Sequence, residues 1–283
     1  MFKFMLAPLE DYSDSAFRTL CFRHGADLTF TEMSRVEGIV RRNKPTLAKI
    51  QLHDDTPVEI QLLAGREDQL EKYISSFEPK GGFKGFNLNL SCPSPNVMQQ
   101  GRGCAMVKRV SKTNRLVSII KKHNYPVSIK LRLGTNFFEK SHKVYLNCLK
   151  EVDAEFFVVH AKTGAQESKE SADFSVLKEC VDITKSRGIP LIANGGIDSN
   201  EVIDKLKELG VSGAMIGRPS ILNPAIFDKL KGKAVPSIEE LKKEYLDLAN
   251  HFSASTKYRE NILKELEKKD QLASSKENEK ENY

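Results

Sequence analysis

Eight short apolar runs recur along the first 217 residues: FKFMLAP (2–8), LTFTEM (28–33), VEIQLL (58–63), GFNLNL (85–90), VSIKLRL (127–133), FFVVHA (156–161), PLIANGG (190–196) and GAMIG (213–217). Amphipathic stretches separate them. In SDSAFRTLCFRHG, Ser13 can cap a helix whose Phe17, Leu20, Cys21 and His24 share one face. In DSNEVIDKLKELG, Asp198 and Glu201 form a capping-box-like pair, Val202, Leu206 and Leu209 make the stripe, and Gly210 ends it. A third helix, rich in basic residues, is predicted over 105–123. Eight strands, each followed by a helix, predict a closed parallel (β/α)8 TIM barrel, whose strands should be apolar throughout rather than alternating. An open doubly wound sheet shares this periodicity and is the alternative at this level. The barrel is expected over 1–233 and a short helical extension over 234–270. The polar segment 271–283 is expected to be a disordered tail.

In a parallel barrel the active site gathers at the carboxyl ends of the strands, so polar residues that end apolar runs are the candidates. They are Pro8, Glu32, Gln61, Asn87, Asn89, Cys92, Lys130, Arg132, His160, Lys162 and Asn194. Singly, a strand lysine or arginine can be a structural ion pair, and a free cysteine is most often a small buried hydrophobe. Their joint placement at strand ends favours a site. The last two strands add NGGIDSN and GRPS, where Gly195, Gly196, Gly217 and Arg218 occupy the two loops that barrels use to grip a phosphate.

Composition narrows the class. The chain has 283 residues, is 40% hydrophobic, and contains no apolar run near the roughly 20 residues of a membrane span, so a cytoplasmic protein without membrane attachment is expected. Five cysteines without regular spacing suggest reduced thiols, and no metal-ligand spacing is present. Residues 1–233 carry 35 Lys/Arg against 27 Asp/Glu, an excess compatible with a polyanionic partner such as RNA or with an evenly solvated surface.

LAPLEDYSDSAFRTLCFRHGADLTFTEM, NLNLSCPSPNVMQQGRGCAMVKR, VSIKLRLG, VVHAKTG, IANGGI and GRPSILNPAIF occur in that order, and together they resemble the dihydrouridine synthases over residues 4 to 228. The resemblance implies an FMN-bearing barrel that reduces uridines in tRNA, with NADPH or NADH as electron donor; a monomer without a metal is expected. It implies Cys92 as the catalytic proton donor, Asn89 as a contact of flavin and target base, and Arg132 as a uridine contact. It implies Ala7, Pro8, Gln61, Lys130, His160, Asn194, Gly195, Gly196, Gly217 and Arg218 as cofactor contacts. Reducing the C5=C6 bond takes a hydride at C6 and a proton at C5, and a thiol with a pKa of about 8.5 is protonated at neutral pH yet acidic enough to donate. A cation at Lys130 would stabilise an anionic reduced ring.

The chain departs from the family pattern at Lys162, where arginine is usual, near Ser168, where an aromatic is common, and at Glu10, where glycine is preferred. The helical region after the barrel is curtailed. Basic residues Arg41, Arg42 and Lys44, and the set Lys108, Arg109, Lys112, Arg115, Lys121 and Lys122, are candidates for RNA phosphates or for a solvated helix face. The strand motif around Cys92 also resembles dihydroorotate and dihydropyrimidine dehydrogenases, whose donor cysteine would fall nearer Cys104. A flavin-retaining RNA-binding protein without turnover is a further alternative.

Overall fold

A computed structural model describes the backbone of residues 1–281 and the side chains of residues 1–268. Each apolar run of the sequence forms a strand: β1 (Lys3–Leu6), β2 (Thr29–Phe30), β3 (Ser34–Arg35), β4 (Val58–Leu63), β5 (Phe83–Leu90), β6 (Val127–Arg132), β7 (Phe157–His160), β8 (Leu191–Asn194) and β9 (Gly213–Ile216). β2 lies within the run 28–33, and β3, just beyond that run's end, also pairs with β4, so the second strand is interrupted and extends past its predicted bound. All pairings are parallel, in the order β1-β9-β8-β7-β6-β5-β4-β2. A bridge between Met5 and Leu28, with Leu6 N donating to Leu28 O at 2.9 Å, joins the two ends into a barrel. The fold is the (β/α)8 barrel.

The helices pack their apolar stripes on the outside of this sheet. Phe17, Leu20 and Cys21 of helix Ser15–Arg23 are fully buried, as the spacing predicted. Its cap is Asp14, whose carboxylate accepts from Phe17 N at 2.9 Å; Ser13 instead accepts from Leu9 N at 2.8 Å and shapes the loop after β1. Helix Asn200–Glu208 is likewise capped by Ser199 rather than Asp198, one residue closer to the first turn. The single helix expected over 105–123 divides into a 3-10 turn, Gly103–Met106, and helix Val110–Lys122.

The barrel interior differs from the expectation of uniformly apolar strands. On one side it is apolar, with Met5, Phe30, Val158, Ile192 and Met215 in one cluster. On the other side β4, β5 and β6 alternate, sending Glu59 and Gln61, Asn87 and Asn89, and Ser128 and Lys130 inward, all of them buried. Asn87, a strand-end candidate in the sequence, lies within this interior and not at the mouth.

After the barrel, helix Ile238–His251 begins with a capping box between Ser237 and Glu240 and packs on helix Ser15–Arg23, where His24 Nε2 lies 2.8 Å from Glu244. Helix Thr256–Glu281 returns across the mouth side. Its Ile262 and Leu266 are buried, Asn261 Nδ2 donates to Asp11 O at 3.1 Å, and Tyr258 Oη donates to Glu32 Oε2 at 2.9 Å. Glu32 is therefore a docking point for this helix: it is 1% exposed, and its second ligand is Lys49 Nζ at 3.2 Å. The helical backbone continues over most of 271–283, where the sequence predicted disorder, and residues 282 and 283 lie outside the described residues. Residues 271–281 include three Glu and two Lys, which extend a helix at little cost once an anchored turn has nucleated it. No helix among the described residues is long and apolar enough to cross a membrane.

Tyr258→Phe removes a hydrogen bond to a buried carboxylate. It is expected to lower stability by about 1–3 kcal/mol, read as a shift of the urea midpoint at unchanged slope.

Candidate active site

A cavity of about 710 Å³ opens at the carboxyl ends of the strands. Its wall is built strand by strand: Ala7 and Pro8 after β1, Gln61 on β4, Asn89 and Cys92 at the end of β5, Lys130 and Arg132 on β6, His160 on β7, Asn194, Gly195 and Gly196 at β8, and Gly217 and Arg218 after β9. The thirteen residues that the family resemblance implies thus line one cavity, whereas the strand-end candidates Glu32, Asn87 and Lys162 do not. The structure adds Ser91, Pro93, Met33, Glu10 and Asp198, which no strand-end pattern singled out.

Cys92 is half-buried on the wall, and the other four cysteines are buried. Its loop is held from two sides. Asn89 Oδ1 accepts from the backbone N–H groups of Ser91, at 2.9 Å, and Cys92, at 2.8 Å. Behind it, Cys104 N donates to Cys92 O at 2.9 Å. Gly103, at φ +55°, permits that approach, because a β-carbon there would lie 2.6 Å from Cys92 O. Arg102 completes the brace by pairing with Glu37 while lying across Gly65. Cys104 is fully buried, its Sγ donating to Gly134 O at 3.0 Å, and burial pushes its thiol up to about 12.

Lys130 is the electrostatic centre of the cavity. It is 7% exposed, its Nζ reaches only Ser91 Oγ at 3.3 Å, and no carboxylate pairs with it among the described residues. Burial, and then the neighbouring Arg132, press its ammonium down to about 7. Arg132 donates through Nη1 to Thr163 O at 2.6 Å and leaves its buried Nε without a partner. His160 is held far down, to about 2, by burial and then by Lys130 and the other cations around it, so its ring is neutral. Four basic side chains, His160 neutral among them, line a cavity wall whose acidic residues are Glu10 and Asp198.

Glycines open the wall at the end of β8. Gly195 has φ +111°, and a β-carbon there would meet His160 Cδ2 at 2.8 Å; Gly196 has φ +62° and faces open space. Arg218 begins a short helix of the last loop and donates to Ser168 O at 2.7 Å. Lys162 donates to the same carbonyl at 2.9 Å and to Glu167 O at 3.3 Å. Lys162 is buried behind the wall, so this strand-end candidate clamps the 164–172 loop rather than lining the cavity.

A family model described as dihydrouridine synthase matches residues 5–281. A probable tRNA-dihydrouridine synthase of Aquifex aeolicus (strain VF5) is 29% identical over 263 residues, covering 90% of this chain and 80% of the relative. Probable tRNA-dihydrouridine synthase 2 of Bacillus subtilis (strain 168) is 30% identical over 259 residues, covering 88% and 79%. Among solved structures, morphinone reductase has TM-score 0.54 at 12% identity, covering 86% of this chain and 88% of that one, a likeness of fold.

Because Lys130 titrates near 7 in the ligand-free folded state and near 10.5 when unfolded, the unfolded chain holds more protons between those values, and the lysine's penalty on stability fades as pH rises through that window. Lys130→Met is expected to be more stable than wild type by on the order of 2 kcal/mol at pH 6. The advantage should shrink steadily toward pH 10 in urea unfolding of ligand-free protein; a pH-independent difference would contradict the assignment.

Proposed function

The chain belongs to the dihydrouridine synthase family, and from that premise we propose that it reduces the C5=C6 bond of uridine in tRNA, holding FMN in the cavity at the barrel mouth, drawing electrons from NADPH or NADH, and using Cys92 as the general acid. The observation that carries this reading is the placement of Cys92: the one half-buried thiol stands on the same wall as the unpaired Lys130.

The residues present fit FMN. The phosphate would lie on the glycines of the β8 and β9 loops, Gly195, Gly196 and Gly217, with Arg218 beside them. Buried without a carboxylate, Lys130 gains a counter-charge when the ring is bound, and His160 offers a neutral imidazole. Bound FMN supplies the hydride that C6 of uracil receives. Cys92 holds the proton that C5 takes, on a loop whose backbone is fixed by Asn89. Arg132 presents its unpartnered Nε to a uracil carbonyl, which orients the base and draws charge toward the oxygen. Glu10, near the rim and paired with Lys49, stands where an incoming nucleotide passes.

Taking a base out of folded tRNA costs a few kcal/mol, offset by contacts to the ring and to phosphates. Of the two basic groups, the helix 105–123 set is largely engaged: Lys108 pairs with Glu139, Arg115 with Glu67, Lys121 with Asp153 and Lys122 with Glu71. Arg41, Arg42 and Lys44 are exposed and form no ion pair among the described residues, so this patch is the stronger candidate for the RNA backbone. A donor cysteine at position 104, as in the free-pyrimidine dehydrogenases, is disfavoured by its complete burial and raised pKa.

Cys92→Ala is expected to keep its yellow cofactor and lose about 10²–10⁴-fold in dihydrouridine formation, measured by mass spectrometry of tRNA. Cys104→Ser should retain the reaction within about tenfold. Equal activity of Cys92→Ala and wild type would remove Cys92 from the role of acid.

A further inference from the structure

The polar half of the barrel contains one ionisable group with no part in the chemistry above. Glu59, on β4, is 3% exposed and has no cationic partner among the described residues. Its β5 neighbour across the sheet is Gly85, which has no side chain, and the strand register shifts at this point. The carboxylate is thereby free to reach past β5 to β6, where its Oε2 accepts from Ser128 Oγ.

From Ser128 a chain of hydrogen bonds leads to the Cys92 loop, and the direction of every bond follows from its far end. Backbone N–H groups can only donate, so the two that meet Asn89 require its oxygen to face the loop and its nitrogen to face Gln61. Asn89 Nδ2 then donates to Gln61 Oε1 at 2.8 Å, Gln61 Nε2 to Asn87 Oδ1 at 2.7 Å, and Asn87 Nδ2 to Ser128 Oγ at 2.7 Å. Ser128 has a single proton, and with one lone pair taken by Asn87 that proton goes to Glu59. The chain is consistent only if the group at position 59 accepts.

The reverse polarity is just as connected among the amides. If the Ser128 hydroxyl turned toward Asn87, the three amides would flip in sequence, and Asn89 would present its NH2 to two backbone N–H groups. The loop would lose both of its Asn89 hydrogen bonds and leave two backbone donors unmatched.

We propose that Glu59 is a positioning residue for the active site: by accepting from Ser128 it sets the polarity of the Ser128–Asn87–Gln61–Asn89 chain and so keeps the Asn89 oxygen on the Cys92 loop. This rests on the reading of Cys92 as the proton donor. Burial pushes the Glu59 carboxyl up to about 8, and either protonation state offers Ser128 an accepting oxygen. The requirement is for an oxygen, not for a charge.

The test compares Glu59→Gln, which keeps an acceptor, with Glu59→Met, which matches its length without one. Two readouts are taken on flavin-loaded protein: the rate of Cys92 alkylation by iodoacetamide without tRNA, followed by mass spectrometry, and kcat and KM on tRNA. The other cysteines are buried, so alkylation reports the Cys92 loop. Glu59→Gln is expected within about threefold of wild type in both. Glu59→Met is expected to change the alkylation rate and to lower kcat by about tenfold, with KM for tRNA within about twofold. Glu59→Met at wild-type alkylation rate and kcat overturns the proposal, and so does Glu59→Gln as impaired as Glu59→Met. Should Glu59→Met fail to fold, Ser128→Ala, which cuts the chain and leaves the carboxylate, is held to the same outcomes. A wild-type protein inactive on tRNA would refute the proposed reaction, while the alkylation contrast would still decide the role of Glu59.

Discussion

A buried polar group inside a parallel barrel must find its partner inside the barrel, and that constraint organises this protein. Three adjacent strands turn amide, hydroxyl and carboxyl groups inward where most of the interior is hydrocarbon. Each unmatched group would cost one to several kcal/mol, so the side chains are tied into a single row from Glu59 to Asn89. The row ends at the Cys92 backbone. Core satisfaction and the geometry of the Cys92 loop are therefore the same set of bonds, and the loop that carries the thiol inherits the rigidity of the barrel wall.

The opposite approach to the loop is steric rather than polar. Gly103, Arg102 and Cys104 press up from the turn that follows, and only a glycine at position 103 leaves space for the Cys92 carbonyl. A thiol held between an amide row and a glycine brace has little freedom to drift from its place on the cavity wall. Around the cavity, Lys130, Arg132, His160 and Arg218 line the wall with little compensating negative charge. That arrangement is unfavourable for the ligand-free protein and favourable for one holding an anion. Functional sites commonly carry strain of this kind. The C-terminal helices add their own constraint, since the last one is anchored through Tyr258 to Glu32 beside the mouth.

Strand positions were legible because parallel barrel strands are compact apolar runs, and the runs at 58–63 and 127–133 match β4 and β6 to within one residue. The cavity wall was legible for a related reason: a strand that points its carboxyl end at the mouth ends beside the cavity. Glu59, Asn87 and Ser128 were misread or passed over. VEIQLL, GFNLNL and VSIKLRL each place a polar residue at every second position, and in a strand that period means one common face. The expectation that buried strands are apolar throughout concealed it. Ser13 and Asp198 lost their capping roles to neighbours one residue away, because a cap is chosen by the angle at which the chain enters the helix.

The amino-acid order by itself determined the eight strand runs, the polar residues that end them, the glycine loops and the cysteine, since these follow from periodicity and from residue types that few backbone positions accept; that the sheet closes into a barrel was decided by the bridge between Met5 and Leu28. Which strand-end groups face the cavity, and which are used elsewhere, was decided only by the folded chain. Lys162 clamps a loop, Glu32 receives a helix and Cys104 is sealed beneath Gly134. These outcomes depend on partners far away in sequence, 226 residues in the case of Tyr258 and Glu32. A one-dimensional pattern records which groups can bond but not which of them closure of the sheet brings within 3 Å.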